Sequence, residues 1–268
     1  MPPPPGSGPP RRKRFGQHFL HDPAVLERTL EALAPQAGEH LVEIGPGRGA
    51  LTRQLIACSD TTLDAIEIDR DLAQLLAPLF TDFPRCQLHQ ADVLAFDFGA
   101  LARARGGKLR VIGNLPYNIS TPLLFHLLAH AGALSDLHVM LQREVVERMA
   151  AQPGNKDYGR LTIMLAPYVE VASLFEVGPG AFQPPPRVWS AVARLTVRPQ
   201  PLFAVSPHYA AVVAAAFMQR RKTLRNALSA FLSREQISAC GVDPGARPET
   251  LTPAAFNSLA QTLDRAGA

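Results

Sequence analysis

From His40 to Gln142 short apolar runs alternate with longer amphipathic ones, and this alternation constrains the fold more than any other feature. HLVEI, TLDAIEI, CQLHQAD, LRVIGN and DLHVMLQ read as strands, whereas GALTRQLIACS, DRDLAQLLAPLF and TPLLFHLLAHA read as helices. Strands separated by single helices predict a parallel, doubly wound α/β sheet. Right-handed crossovers then gather the strand C-termini along one edge, where ligands bind. Beyond about Gly159 the pattern changes. YVEVASLFEV and WSAVARLTV read as further strands, joined by the proline-rich GPGAFQPPPRV. RPQPLF reads as a linker, and HYAAVVAAAFMQRRKTLRNALSAFL, REQISAC and PAAFNSLAQTLDRA read as helices. The expected organisation is a disordered basic, Pro-rich tail over residues 1–14, an α/β domain over 15–200 and a small all-helical C-terminal domain over 201–268.

Composition narrows the class. With 47% hydrophobic and 19% charged residues, the chain can build a core and is not wholly disordered. Cys58, Cys86 and Cys240 are scattered and odd in number, and the eight histidines form no HExxH, so neither a disulfide framework nor a metal site is expected. No apolar run approaches the roughly 18 residues that span a bilayer, and the start lacks the apolar segment of a signal peptide. A cytoplasmic protein without a membrane partner is expected. The net charge is +4 and the pI near 9.2. The basic residues cluster at Arg11–Arg14 and again at Arg220, Arg221, Lys222 and Arg225. That clustering permits a nucleic-acid partner.

Three motifs sit at the expected sheet edge. Glu43-Ile44-Gly45-Pro46-Gly47-Arg48-Gly49 follows a strand and opens a helix. Its spacing is GxGxG, not the GxGxxG that accommodates a pyrophosphate. An acid two residues before the first glycine would repel a pyrophosphate. It would favour a cation such as the sulfonium and amino group of S-adenosylmethionine. Glu67 closes the next strand, about 20 residues on, where a carboxylate reaches ribose hydroxyls. Asp69 is a weaker candidate for that task. Asp92 ends the third strand, where it can accept from an adenine amino group. Asn114-Leu115-Pro116-Tyr117 ends the fourth. An adenine N6 is a poor nucleophile because its lone pair is delocalised into the ring. The Asn114 side-chain oxygen and a backbone carbonyl held by Pro116 can face its hydrogens and localise that pair, while Tyr117 stacks on the base. Such a reaction needs positioning and electrostatics more than a strong base.

With Arg14-Phe15-Gly16-Gln17-His18-Phe19-Leu20, EIGPGRG, Glu67, Gln90-Ala91-Asp92, NLPYNIS, Phe182–Ser190 (FQPPPRVWS) and Phe217–Asn226 (FMQRRKTLRN), the chain resembles the small-subunit (16S) rRNA adenine dimethyltransferases of the KsgA type. The resemblance implies a Rossmann-like class I methyltransferase domain with a small all-helical C-terminal domain. It implies His18 and Leu20 over the cofactor, beside Gly45, Glu67, Asp92 and Asn114. The family often has Asn where His18 stands, so backbone contact is implied there as much as side-chain contact. It further implies dimethylation of two adjacent adenosines near the 3′ end of 16S rRNA in the assembling 30S subunit, by a monomer. Phe182 would then lie against the target base opposite Tyr117, although its prolines read equally as a rigid structural loop. Arg221 and Arg225, one helical turn apart with Lys222 adjacent, would take rRNA phosphates; a solvated helix face is the alternative.

Several rival functions remain to be weighed. A large-subunit rRNA adenine methyltransferase of the macrolide-resistance type would share the fold and the NLPY region, but PPPRVWS and QRRKTLRN favour the small-subunit family. A DNA adenine methyltransferase would more often carry DPPY and a target-recognition insertion. A non-catalytic RNA-binding assembly factor would not need the glycine loop, Glu67, Asp92 and NLPY all intact. A nicotinamide oxidoreductase disagrees with GxGxG.

Overall fold

The computed structural model describes residues 17–58, 60–218 and 222–266. The tail expected over residues 1–14 lies outside them. The elements run β1 (Phe19–Leu20), α1 (Pro23–Leu33), β2 (His40–Ile44), α2 (Ala50–Ala57), β3 (Thr62–Glu67), α3 (Arg70–Thr81), β4 (Cys86–Gln90), α4 (Phe98–Arg105), β5 (Leu109–Asn114), α5 (Ser120–Ala129) and β6 (Leu134–Gln142). Then come α6 (Arg143–Ala150), α7 (Arg160–Leu165), β7 (Val169–Val177), β8 (Phe182–Gln183), β9 (Ser190–Val197), α8 (Tyr209–Met218), α9 (Leu224–Ala227), α10 (Arg234–Ala239) and α11 (Pro253–Ala266).

Seven strands form one sheet in the order β4-β3-β2-β5-β6-β9-β7. The β2–β3, β3–β4, β2–β5 and β5–β6 pairs are parallel, as the strand–helix alternation predicts. β9 pairs antiparallel with both β6 and β7, so the last two strands enter as a hairpin whose second strand lies inside the first. Side chains alternate between the faces with the period of a strand. Leu41 and Ile112 face a core with Leu26 and Leu33 of α1, Leu55 of α2 and Leu76 of α3. Val42, Val111, Val139 and Leu195 face the opposite core with Phe98 of α4 and Leu123 and Leu127 of α5. The sheet is thus covered on both sides, which is why its central strands read as continuous apolar runs.

A third core gathers Tyr209, Val212, Val213, Leu224, Ile237, Phe256 and Leu259 of the C-terminal helices. Ala151, Tyr158 and Ile163 belong to it too. The Tyr158 hydroxyl donates to the Leu251 carbonyl at 2.7 Å, and the Tyr209 hydroxyl to the Ile163 carbonyl at 2.9 Å. Residues on both sides of position 201 therefore share one core.

The run from His208 to Leu232 is not the single helix that its composition predicts. α8 and α9 are separate, and Thr223 between them is extended, with φ −71° and ψ 160°. The first N–H groups of α9 find partners in the 244–246 loop: Leu224 donates to the Ala246 carbonyl at 2.9 Å and Arg225 to that of Pro244 at 3.0 Å. These bonds replace the intrahelical ones that a continuous helix would make. Arg221, expected one helical turn before Arg225, lies outside the described residues.

Candidate active site

A cavity of about 340 Å³ opens at the C-terminal ends of β2, β3, β4 and β5. This lies within the range of roughly 300–1,000 Å³ typical of small-ligand sites. Gly45 and Gly47 line the cavity, and with Gly49 beside them they have φ of +66°, +59° and +78°, which side-chain-bearing residues rarely adopt. Gly113 serves a different purpose. A Cβ there would lie 2.5 Å from the Ile44 carbonyl oxygen, so only glycine lets β5 approach β2 where Asn114 follows. Gly49 caps α2 without a side-chain bond, which leaves N–H groups of that helix end available to a ligand.

The acids differ in environment. Glu67 is buried, and its two oxygens accept from Gly47 N at 3.2 Å and Asp69 N at 2.9 Å. Burial pushes its pKa up, against the pull of those backbone donors. Each oxygen retains a free lone pair for a hydroxyl donor. Asp92 is exposed on the cavity wall, and its Oδ1 accepts from Leu94 N at 2.9 Å. Asp69, the weaker ribose candidate, instead caps α3 by accepting from Asp71 N and Leu72 N, and does not line the cavity. Glu43 lies beneath the glycine loop, buried, with Oε2 lacking any hydrogen-bond partner. Burial raises its pKa to about 7, with the Glu67 charge adding to the rise and the Thr52 hydroxyl opposing it. An orphaned carboxylate oxygen on the wall of a cavity fits a cationic ligand, because a nearby positive charge would offset the cost of ionising it.

The NLPY segment is tied to the N-terminal segment. Asn114 Nδ2 donates to the His18 carbonyl at 2.9 Å, and His18 Nδ1 lies 2.7 Å from the Pro184 carbonyl. The His18 ring stacks on that of Tyr117 at 5.9 Å between centroids. The Tyr117 hydroxyl meets Ser190 Oγ at 2.6 Å, and Ser120 Oγ donates to the Tyr117 carbonyl. β1 pairs with β8, matching Leu20 to Phe182, and this holds the segment over the cavity. Leu20, Pro116 and Tyr117 all line it.

His18, Leu20, Gly45, Glu67, Asp92, Asn114, Pro116 and Tyr117 therefore come together around one cavity. Phe182 does not. It is 2% exposed and packs with Met140, Val177, Ala181 and Val192, of which Met140 and Val192 line the cavity while Phe182 itself lies behind them. Buried behind Met140 and Val192, its ring does not itself reach the cavity wall, as the expected contact with the target base requires. Lys222 and Arg225 are exposed and outside the cavity, and Arg221 lies outside the described residues.

Three lining residues escaped sequence reasoning. Phe19 covers Gly47 and carries the Arg48 guanidinium 4.6 Å above its ring. Ile68, 47% exposed at the end of β3, offers the cavity an apolar surface beside Glu67. Its position right after a strand-ending acid was the available signal. His138 is 1% exposed with neither ring nitrogen hydrogen-bonded, and burial lowers its pKa. Nothing in its strand pattern distinguishes it from an ordinary core position. Among the described residues no cluster of acids, histidines and cysteines could hold a metal, and no helix is long and apolar enough to cross a membrane.

A mostly parallel sheet with a glycine loop, strand-end acids and NLPY around one cavity defines a Rossmann-like methyltransferase fold. Comparisons with known proteins agree. The dimethyladenosine transferase of Plasmodium falciparum matches with a TM-score of 0.77 at 22% identity, over 93% of this chain and 98% of that one. The 23S rRNA methyltransferase ErmE matches with a TM-score of 0.70 at 25% identity, over 92% and 99%. A family model described as ribosomal RNA adenine dimethylase matches residues 10–265. A ribosomal RNA small subunit methyltransferase A from Pseudomonas aeruginosa is 55% identical over 259 residues, 94% of each chain. One from Nitrosococcus oceani is 55% identical over 244 residues, 90% of this chain and 91% of that one. The chain belongs to the ribosomal RNA adenine dimethylase family.

Proposed function

We propose that this chain dimethylates N6 of two adjacent adenosines in the hairpin loop near the 3′ end of 16S rRNA, in the assembling 30S subunit, with S-adenosylmethionine as donor. When bound, that cofactor supplies an electrophilic methyl group on a sulfonium. The cavity's size, the free lone pairs on Glu67, the unpaired Glu43 oxygen and the wall from Gly45 to Asp92 fit it. Gly45, Glu67 and Asp92 would hold it, with His18 and Leu20 above.

The Asn114–His18 bond carries the reading. With Nδ2 committed to a carbonyl, Oδ1 is left as the acceptor for an N6 hydrogen. The Leu115 carbonyl, fixed before Pro116 by the bond from Leu115 N to Met140 O at 3.1 Å, is the second acceptor. Two acceptors hold the amino group pyramidal, with its lone pair free to attack. Tyr117 holds the base, its own hydroxyl tied back by Ser190. The proton leaves once the nitrogen has become cationic, so no strong base is required.

The relatives named for the small subunit are 55% identical, whereas the large-subunit neighbour is 25% identical, and this favours the small-subunit substrate. The test is nucleoside analysis of small subunits from a strain lacking the gene, before and after addition of the protein and cofactor. Dimethyladenosine should appear only after addition. Its absence, or its appearance in large-subunit rRNA, would overturn the reading.

A further inference from the structure

Trp189 is the chain's single tryptophan, and it is 50% exposed. Isolated exposed apolar residues are ordinary. This one has company, because Val188 beside it is 43% exposed and Arg187 before that is exposed too. It is also held firmly. The Trp189 carbonyl accepts from Arg143 N at 2.9 Å. The far edge of its indole covers Gly178, where a Cβ would stand 3.7 Å from the ring. The next residue, Ser190, is fully buried and holds the Tyr117 hydroxyl. One peptide unit and one hydrogen bond thus separate the exposed indole from the ring assigned to the target base.

We propose that Trp189 is a second stacking platform, which takes the base of the nucleotide adjoining the target adenosine, with Arg187 on the intervening phosphate. This rests on the function proposed above. A rigidly backed indole with an open face is suited to any base, since stacking is tolerant of sequence. The charge beside it is complementary to RNA: Arg187 has no carboxylate within 4.0 Å among the described residues. Swinging one base of a loop onto Tyr117 unstacks its neighbour, and an aromatic face at that point would recover the lost stacking. An apolar protein partner is the competing occupant, and the test below decides between them.

Because the chain has one tryptophan, its fluorescence reports this position alone. The full-length protein with S-adenosylhomocysteine is titrated with the RNA hairpin from the 3′ end of 16S rRNA, and affinity is measured separately by retention of labelled RNA. Emission should be quenched to saturation. Trp189→Ala should weaken binding roughly tenfold or more, and Trp189→Phe should restore most of it. An abasic residue at one of the two positions adjoining the target should remove the quench and weaken wild-type binding by a similar factor. It should weaken Trp189→Ala no further, the coupling expected of two groups in contact. Saturable binding without quenching, an unchanged Trp189→Ala affinity, or penalties that simply add would overturn the proposal. Methylation of unmethylated small subunits is followed in parallel. If wild type methylates them, those negative results remove only the role of Trp189; if it does not, the underlying function fails and this role with it.

Discussion

The Asn114 side-chain amide donates to the His18 backbone carbonyl at 2.9 Å, joining residues 96 positions apart. The acceptor proposed for the substrate amine and the segment over the cavity are thereby positioned by one bond. Asn114→Ala should abolish both methyl transfers and also loosen the N-terminal segment. Asn114→Asp should fail as well, because its carboxylate would face the His18 carbonyl oxygen without a donor. Mass spectrometry of digested nucleosides over time is the measurement. Loss of the second transfer alone would contradict the acceptor role in the first.

Glu67 accepts from two backbone N–H groups while buried. Glu67→Ala should leave the fold intact and weaken cofactor binding roughly ten- to a hundredfold, since a hydrogen bond to a charged acceptor contributes about 1.5–3 kcal/mol. Calorimetric titration reads this directly, and unchanged affinity would remove Glu67 from the site.

Phe182 serves the core, so its replacement should act on stability. Phe182→Ala should cost about 3–5 kcal/mol, whereas Phe182→Leu should cost under about 1.5 kcal/mol and keep near-normal turnover. Thermal melting alongside methylation rates distinguishes the roles. If Phe182→Leu melts normally but loses activity, the ring contacts substrate after all.

Local pattern made some of this legible and not the rest. β2 and β5 coincide with HLVEI and LRVIGN because buried parallel strands are continuous apolar runs bounded by polar turns. Glu67 and Asn114 could be placed because each ends such a run, whereas Asp92 lies two residues past β4, a strand of mixed polarity. α1 lies before the alternation that begins at His40, and it is marked by Asp22, which caps it, and Pro23, which opens it. The burial of Phe182 depends on packing against Met140 of β6 and Val192 of β9, strands that a local window does not bring together. The break at Thr223 is likewise set by partners at 244–246, against a run whose composition favours one helix.

Arg225 is exposed on α9 and Lys222 is exposed just before it, and Arg221 precedes them in sequence. Replacing all three by alanine should weaken small-subunit binding and flatten its salt dependence by about 0.7–0.9 per lost phosphate contact. Binding measured across a salt series tests this. An unchanged slope would make the cluster a solvated surface.

Glu43 makes pH a probe of the cavity. Its folded pKa is about 7 against an ordinary 4.5, because burial penalises the charged form. Below about pH 4.5 both folded and unfolded chains hold the proton, and the group imposes no penalty. Between 4.5 and 7 the unfolded chain ionises while the folded one does not, so this group's contribution falls as pH rises. Above 7 both are ionised and the penalty levels off, on the order of 3 kcal/mol. Glu43→Gln is neutral throughout and removes this slope. Its stability relative to wild type should therefore grow from pH 4.5 to 7 and then hold, as read by denaturant unfolding across pH. A bound cation favours the ionised carboxylate, so cofactor binding near pH 7 should release a proton in wild type and less in Glu43→Gln. Calorimetry in buffers of differing ionisation enthalpy measures that release. Parallel stability curves for the two proteins would show that Glu43 is already ionised beneath the glycine loop, and equal proton release would show that the cofactor's charge does not reach it.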